Sequence, residues 1–502
     1  RMLQHEPAGL RARLRVTLTL LFQVAACLFP SLVAARPTGA RAFRPGPFPT
    51  GQIVERVTSE ANPSQQYAVY LPSRYRADRT WPLLLIMDPR GRALFPLERL
   101  REVADRLGYI AVSSYNSRSD ESVDPNADAI NAILADAQRS FSLDVHRIYL
   151  VGQSGTARAS WIFGYGLRGH VAGIIGIGAS TPANFTITPR APNDLPALVF
   201  FGAAGTTDYN YEEVRALDTT LARVNLPHRV TFYDGPHTWA PAETLTEGVE
   251  FMELMAMRFG LTERRQGWID SSYAARMAGA AALAAHGDEY HAWLGYRAVA
   301  SDFDGLHDTR AAAANAARLG KSRGARELDE RPERAAKLQR AYNAKLAGFF
   351  GSLQKSEPPD VDKAVAAMQL PDLDRRMAST DTVDANAATR GLEQLWVYAS
   401  FYEPMDYLAE GDATRALGVL GLAQAMRPND PEVCWQEARA LARLGQESQA
   451  VSALECAARG PVSPEQVERE GDFKPLAAEP AFRALLNRMR TKPSGQAARF
   501  GW

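Results

Sequence analysis

From Gly51 to about Leu261, short apolar segments alternate with segments of helical periodicity, and this alternation constrains the fold more than any other feature of the chain. The apolar segments predict seven strands, at residues 66–72, 82–88, 109–115, 147–152, 171–178, 197–203 and 229–234. The later ones are apolar throughout, as strands covered on both faces should be. Helical patterns lie between them, at 97–107, 127–141, 156–166, 211–224 and 242–259. The alternation predicts an α/β domain with a mostly parallel sheet and helices on both faces.

Beyond Leu261 the strand-like segments stop, and Ala- and Arg-rich helical segments run almost to the end of the chain. A glycine followed by alanine five positions later occurs at Gly287, Gly411 and Gly445, and the last two are 34 residues apart. That spacing is the period of tetratricopeptide helical hairpins. The small, large and Pro positions of such a repeat are matched by Ala416, Leu420, Ala423 and Pro428, and again by Ala450, Leu454 and Ala457. The segment resembles one and a half tetratricopeptide repeats; a generic Ala-rich helical bundle is the alternative.

The N-terminus has the features of an export signal. Arginines precede a long apolar run, and Val33-Ala34-Ala35 supplies small residues where such a signal is cleaved. A buried helix or a membrane anchor is one alternative, because the run is near spanning length. A lipoprotein anchored at Cys27 is another, less favoured because the run continues past Cys27. We expect an exported protein, periplasmic or secreted, with a signal peptide at 1–35, a linker at 36–50, an α/β domain at 51–262 and a helical domain at 263–502.

Charge and cysteine content exclude two classes of site. Lys+Arg and Asp+Glu both number 57, so no overall field attracts nucleic acid. The three cysteines, Cys27, Cys434 and Cys456, do not have the spacing of zinc ligands. Cys434 and Cys456 fall on opposing helices of one predicted hairpin, and export would let a disulfide persist there. A bridge between them and two separate buried thiols both remain possible.

A small polar residue stands at the break between a predicted strand and a predicted helix, in Gly152-Gln153-Ser154-Gly155-Thr156. In an α/β sheet, ligands meet the carboxyl ends of the strands, and Ser154 follows such an end. The segment resembles the nucleophile elbow G-x-S-x-G of α/β-hydrolases, in which glycines permit a tight turn. It departs from that motif at the fifth position, where Thr156 replaces glycine.

A serine nucleophile needs a base and an acid, which follow it in this fold in the order Ser, Asp or Glu, His. Asp208 lies in the loop after the strand at 197–203, and His237 lies just beyond the last strand. A helix cap is the alternative role for Asp208. We expect the Ser154 hydroxyl within hydrogen-bond reach of His237, and Asp208 on the far side of the same imidazole.

The oxyanion of an acyl-transfer intermediate needs two donors. The N–H of Gly155 is one candidate. The second should come from the loop after the strand at 82–88, and Arg90 is the candidate there because Pro89 has no N–H. Many relatives carry His-Gly where this chain has Asp88-Pro89.

The connection at 179–196 is too short for a helical lid, so we expect an open cleft. Trp161 and Trp239 are candidate substrate-binding residues in its wall. Ordinary core packing is the alternative for both.

Residues from about Gly51 to Leu261 resemble the α/β-hydrolase superfamily, and most of all bacterial carboxylesterases of the polyhydroxybutyrate-depolymerase and feruloyl-esterase type. The segments "GQSGTAR", "FGAAGTTDYN" and "DGPHTW" carry the resemblance. It implies a serine esterase that cleaves a small or polymeric ester through an acyl-enzyme, without metal or cofactor. A serine peptidase would use the same three residues. The alternative from another class is an inactive hydrolase fold that acts as a scaffold, with the helical repeats binding a protein partner.

Overall fold

The computed structural model describes residues 48–119, 124–188, 197–353, 361–460 and 462–491. These residues form two compact units, 48–333 and 334–491. The predicted signal peptide, Cys27 and most of the predicted linker lie outside the described residues. Within the described residues, no helix is both long and apolar enough to cross a bilayer. The boundary predicted at residue 262 falls inside the first unit.

The first unit is built on one sheet of eight strands, in the order β1-β2-β4-β3-β5-β6-β7-β8. The strands are β1 (Ile53–Thr58), β2 (Gln66–Tyr70), β3 (Trp81–Met87), β4 (Ile110–Ser114), β5 (Leu143–Gln153), β6 (Val171–Ile177), β7 (Val199–Gly205) and β8 (His228–Tyr233). β2 is antiparallel to both of its neighbours. The other six strands, in the order β4-β3-β5-β6-β7-β8, are parallel to one another. The fold is that of the α/β-hydrolases. All seven predicted strands are present, and the edge strand β1 is additional.

Five helices cover the two faces of this sheet: α1 (Leu94–Leu107), α2 (Asp124–Ser140), α3 (Gly155–Gly166), α4 (Tyr211–Arg223) and α5 (Ala242–Arg258). Successive strand residues point to opposite faces. In β3, Leu84 and Ile86 therefore enter the core under α1 and α5. Leu83 and Leu85 enter the core under α2, α3 and α4. This two-sided burial explains why the strands are apolar at every position.

The first unit also includes three helices that follow the sheet: α6 (Gln266–Ala285), α7 (Glu289–Asp302) and α8 (Arg310–Leu319). Ile269 of α6 and Val299 of α7 are buried in the same apolar core as Met252 of α5. Phe303 and Ala312 extend that core beyond α7. The early helical region thus packs as part of the sheet unit.

A network of ion pairs joins these helices to the sheet. Arg229 of β8 and Arg276 of α6 both pair with Asp302 of α7, at 2.7 and 2.8 Å. Arg276 also pairs with Glu250 of α5 at 2.9 Å, and Arg106 of α1 pairs with the same glutamate at 2.8 Å. The Asp302 side chain is only 1% exposed, so its charge is compensated by these arginines rather than by water.

The described part of the second unit is helical. It contains most of α9 (Arg323–Leu353), then α10 (Val361–Met368), α11 (Leu370–Met377), α12 (Thr382–Val397), a π-helical turn (Tyr398–Tyr402), α13 (Glu403–Glu410), α14 (Ala413–Met426), α15 (Pro431–Arg443), α16 (Glu447–Ala457), α17 (Pro464–Arg469), a 3₁₀ turn (Gly471–Ala478) and α18 (Pro480–Thr491). Gly411 and Gly445 sit between paired helices with φ of 84° and 69°, a conformation that favours glycine. The spacing of these glycines therefore reflects helical hairpins. The tetratricopeptide assignment stays a prediction.

Cys434 of α15 and Cys456 of α16 form a disulfide, with Cα atoms 5.8 Å apart. We expect alkylation of the unreduced, denatured protein to leave both cysteines unlabelled, and reduction to expose both, as read by peptide mass analysis. Replacing both with alanine should lower the free energy of unfolding by about 3 kcal/mol, because the unfolded chain regains loop entropy. Labelling of both cysteines without reductant would rule out the bridge.

Candidate active site

The turn between β5 and α3 holds Ser154 in a strained conformation, with φ 55° and ψ −129°. Such a conformation costs a non-glycine residue on the order of 1–3 kcal/mol, and it is found where function demands a fixed side chain. Gly152 permits the turn, because a Cβ there would lie 2.6 Å from the carbonyl carbon of Thr156. The Ser154 N–H donates to the Ile177 carbonyl at 2.8 Å, which fixes the turn to the end of β6.

The departure from the motif at Thr156 is a hydrogen-bonded clamp. Thr156 is fully buried, and its hydroxyl oxygen accepts from the Gln153 N–H at 3.0 Å. The same oxygen lies 2.7 Å from the Met87 carbonyl and 2.8 Å from the Gln153 carbonyl, so its single proton has two acceptors within reach. Thr156 therefore ties the turn to the last residue of β3.

Thr156→Val should weaken this clamp and Thr156→Ser should keep it. Loss of the hydroxyl leaves a buried amide and carbonyl without their partner, which costs on the order of 1–3 kcal/mol of stability. We expect Thr156→Val to unfold at lower temperature and to lose activity, and Thr156→Ser to stay close to wild type. Thermal unfolding and kcat measured on all three proteins check this. Equal values for valine and serine would show that the hydroxyl has no role.

His237 and Asp208 meet as the sequence predicts. The imidazole Nδ1 lies 2.8 Å from Asp208 Oδ1. A carboxylate only accepts hydrogen bonds, so Nδ1 carries the proton and Nε2 is left as the basic nitrogen. Asp208 is fully buried, and its Oδ1 also accepts from the Asn210 N–H at 2.7 Å. The ring of Tyr209 packs against the imidazole, with centroids 4.3 Å apart.

The loops that carry Asp208 and His237 are bound to each other through their backbones. The N–H and hydroxyl of Thr207 donate to the Gly235 carbonyl at 3.0 and 2.8 Å. Gly205 lets the loops approach, since a Cβ there would lie 2.1 Å from that carbonyl oxygen. Asp208 and His237 are therefore held as one body.

The end of β6 brings the three residues to one place. Ser154 is bonded to Ile177, and the next residue is Gly178. A Cβ on Gly178 would lie 2.7 Å from Asp208 Oδ2 and 3.1 Å from His237 Nδ1. Among the described residues, however, Ser154 and His237 share no hydrogen bond, so that part of the prediction is not met. Contacts of this kind are often long without substrate and tighten in the Michaelis complex.

The loop after β3 differs from the prediction. The Arg90 N–H, predicted as the second oxyanion donor, donates to Asp88 Oδ1 at 2.8 Å. The Arg92 N–H donates to the same oxygen at 3.0 Å, and the Gly91 N–H donates to the Asp88 carbonyl at 3.1 Å. All three amides are engaged within the loop. The Gly155 N–H lies in the first turn of α3, where amides have no helical acceptor, and it remains a candidate donor.

Asp88 itself is a buried anion. Burial alone would raise its pKa, but the charge and hydrogen bonds of Arg92 outweigh this, together with the Trp239 indole, and the pKa lies below its usual value. Arg92 is 3.1 Å from Asp88 Oδ2, and Trp239 Nε1 donates to Oδ2 at 2.8 Å. The carboxylate is therefore ionised at neutral pH.

Both tryptophans predicted to bind substrate are buried. Trp161 is fully enclosed in the core under α3, with its ring centroid 4.8 Å from that of Phe200. Trp239 is 3% exposed and bonded to Asp88. Neither lines an open surface, so the alternative of core packing holds for both. Residues 179–188 contain no helix, and 189–196 lie outside the described residues.

Four features of the site geometry were not predicted from the sequence: the hydrogen-bonded clamp at Thr156, the carboxylate of Asp88, and the close approaches at Gly178 and Gly205. The predicted strand at 171–178 ends at Gly178, directly after β6, and β7 ends at Gly205. A glycine at the carboxyl end of a strand is the one sequence signal that could have marked these positions. Among the described residues, no group of three His, Cys, Asp or Glu side chains could hold a metal ion.

Comparison with known proteins gives structural similarity only. No family model and no curated protein matches the chain. A fluorophosphonate-binding serine hydrolase of Staphylococcus aureus is 14% identical, with a TM-score of 0.33 over 41% of this chain and 99% of that one. A ferulic acid esterase is 14% identical, with a TM-score of 0.34 over 41% and 98%. A Bacillus cereus carboxylesterase is 16% identical, with a TM-score of 0.32 over 39% and 97%.

Proposed function

We propose that the chain is a serine hydrolase that cleaves carboxylic esters through an acyl-enzyme. The observation that carries the proposal is the 2.8 Å contact between His237 and buried Asp208, at the strand end that also holds strained Ser154. A structural role does not require a serine at φ 55° beside a carboxylate-bonded histidine.

The proposed reaction has the following steps. His237 Nε2 takes the proton of Ser154 as its oxygen attacks the ester carbonyl, and Asp208 stabilises the imidazolium that forms. The Gly155 N–H donates to the oxyanion of the tetrahedral intermediate. Collapse expels the alcohol, which takes the proton from His237. Water, deprotonated by His237, then attacks the acyl-Ser154 ester. Collapse of this second intermediate releases the acid and expels the Ser154 oxygen, which takes the proton back from His237.

Two observations favour the second candidate, an inactive hydrolase fold that serves as a binding scaffold. The Arg90 amide is engaged with Asp88, and Ser154 and His237 share no hydrogen bond among the described residues. Under this alternative the helical unit would bind a protein partner and the chain would not turn over esters.

A fluorophosphonate probe separates the two candidates, because it reacts with serines that a neighbouring base activates. We expect stoichiometric labelling of the wild type at Ser154, located by peptide mass analysis, and no labelling of His237→Ala. Hydrolysis of nitrophenyl esters of increasing acyl length then gives the substrate preference. A folded wild-type protein that neither labels nor turns over any ester would favour the scaffold.

We also infer export to an oxidising compartment. The Cys434–Cys456 disulfide supports this inference, since such bonds persist in the periplasm or outside the cell. Fractionation of the native source, with detection of the mature N-terminus, tests it: cytosolic protein that starts before residue 35 would contradict it.

A further inference from the structure

Two loops of the candidate site converge on the carboxylate of Asp88. Its Oδ2 accepts from the Nε1 of Trp239, two residues after His237, at 2.8 Å. Its Oδ1 accepts from the backbone of Arg90 and Arg92, at 2.8 and 3.0 Å. The Arg92 guanidinium donates to both oxygens, at 3.2 and 3.1 Å. The Asp88 side chain thus contacts the loop that carries His237 and also shapes the loop after β3.

The backbone around Asp88 is fixed as well. The Ser117 hydroxyl donates to the Asp88 carbonyl at 2.8 Å. The preceding carbonyl, that of Met87, lies 2.7 Å from the Thr156 hydroxyl of the nucleophile turn. Met87 also pairs in register with Gly152, so the loop after β3 flanks the turn that holds Ser154. Asp88 is therefore linked to the nucleophile side through its backbone and to the base side through its carboxylate.

We propose that Asp88 is a positioning residue, which holds the His237 loop at a fixed place relative to the nucleophile turn. The proposal rests on the proposed serine hydrolase function. Asp88 is fully buried, so it acts through Trp239 rather than on substrate.

A carboxylate suits this place because the groups that hydrogen-bond to it, the Arg90 and Arg92 amides, the Arg92 guanidinium and the Trp239 indole, are all donors. Asparagine has nearly the same shape but offers one acceptor oxygen and an NH₂ group, which would face donors. In Asp88→Asn, either the Trp239 indole or the two loop amides lose their acceptor. The loops should then drift apart, and a displacement of about 1 Å at a catalytic group can cost on the order of 100-fold in rate.

The experiment compares Asp88→Asn and Trp239→Phe with matched controls. Trp161→Phe removes the same indole from a buried site, where Nε1 has no partner among the described residues. Glu253→Gln neutralises another buried carboxylate, paired with Arg147 at 2.5 Å near the opposite end of β5. For each protein we would measure the phosphonate labelling rate of Ser154, kcat and KM on a short ester, and thermal unfolding.

We expect Asp88→Asn to lower kcat and the labelling rate about 100-fold, and Trp239→Phe about tenfold, with little change in KM. The double variant should lose no more than Asp88→Asn alone, since both remove one linkage. The controls should unfold earlier yet keep wild-type kcat. If Asp88→Asn does not fold, the kcat and labelling rate of Trp239→Phe test the proposal on their own.

A Trp239→Phe protein with the kcat and labelling rate of Trp161→Phe would overturn the proposal. The proposal would also be overturned if the fold-loss of kcat in the double variant equalled the product of the two single fold-losses. An unreactive wild type would instead refute the proposed hydrolase function, so the two failures are distinguishable.

Discussion

Ser154→Ala is expected to abolish ester hydrolysis and phosphonate labelling while leaving the fold intact. If Ser154 is the nucleophile, no other group can form the acyl-enzyme, and the loss in kcat should be on the order of a millionfold. The folded state should survive, because the side chain makes no hydrogen bond among the described residues and removal of one oxygen opens little space. Turnover of a short nitrophenyl ester measures the loss of hydrolysis, and thermal unfolding shows whether the fold is intact.

Ser154→Gly is the matched control for this prediction. Alanine keeps the backbone strain at φ 55°, whereas glycine adopts that conformation without cost. The glycine variant should therefore be as inactive as the alanine variant but more stable by about 1 kcal/mol. If ester hydrolysis co-purifies with the Ser154→Ala protein at every step, the nucleophile is a residue other than Ser154.

Gly205→Ala is expected to have the second largest effect. The added methyl group would lie 2.1 Å from the Gly235 carbonyl oxygen and 2.7 Å from that of Pro236. Backbone on both sides must shift, and the segment that moves carries His237. We expect a loss of about 2–3 kcal/mol in stability from overpacking and a loss of about 100-fold in kcat from misplacement of the base.

Gly166→Ala supplies the comparison, because nothing lies within 4 Å of a Cβ at that position. It should leave kcat unchanged and stability unchanged or slightly higher, since alanine favours a helix. Unfolding curves and kcat of the two variants should differ clearly. A Gly205→Ala enzyme with normal kcat would mean that the base loop does not depend on this close approach.

The sheet could be predicted from sequence because both of its faces are covered. Burial on two sides makes each central strand a continuous apolar segment, which is a strong local signal. β1 escaped notice because its residues are half exposed at the sheet edge and carry Glu55 and Arg56. The order of Ser154, Asp208 and His237 could also be predicted, since each follows a strand whose carboxyl end lies at the same edge.

The finer geometry of the site could not be predicted, because it depends on which partner each polar group finds. An amide after β3 looks available in sequence, yet in the structure Arg90 donates to the side chain of Asp88 two residues earlier. A tryptophan near a site can face solvent or core, and Trp161 faces the core. In sequence Thr156 is only a departure from the glycine motif, and the approach of Met87 shows why a hydroxyl fits there.

The shared anion Asp302 has a consequence for how the chain can be divided. A polypeptide that ended at residue 262 would retain Arg229 and Glu250 but would lack Asp302, which pairs with Arg229, and Arg276, which pairs with Glu250. It would also uncover part of the apolar core that Ile269 and Val299 share with Met252 of α5. The sheet and the three helices that follow it therefore form one compact unit. That unit extends through α8, so an engineered exchange of the later helices should join the chain beyond that helix.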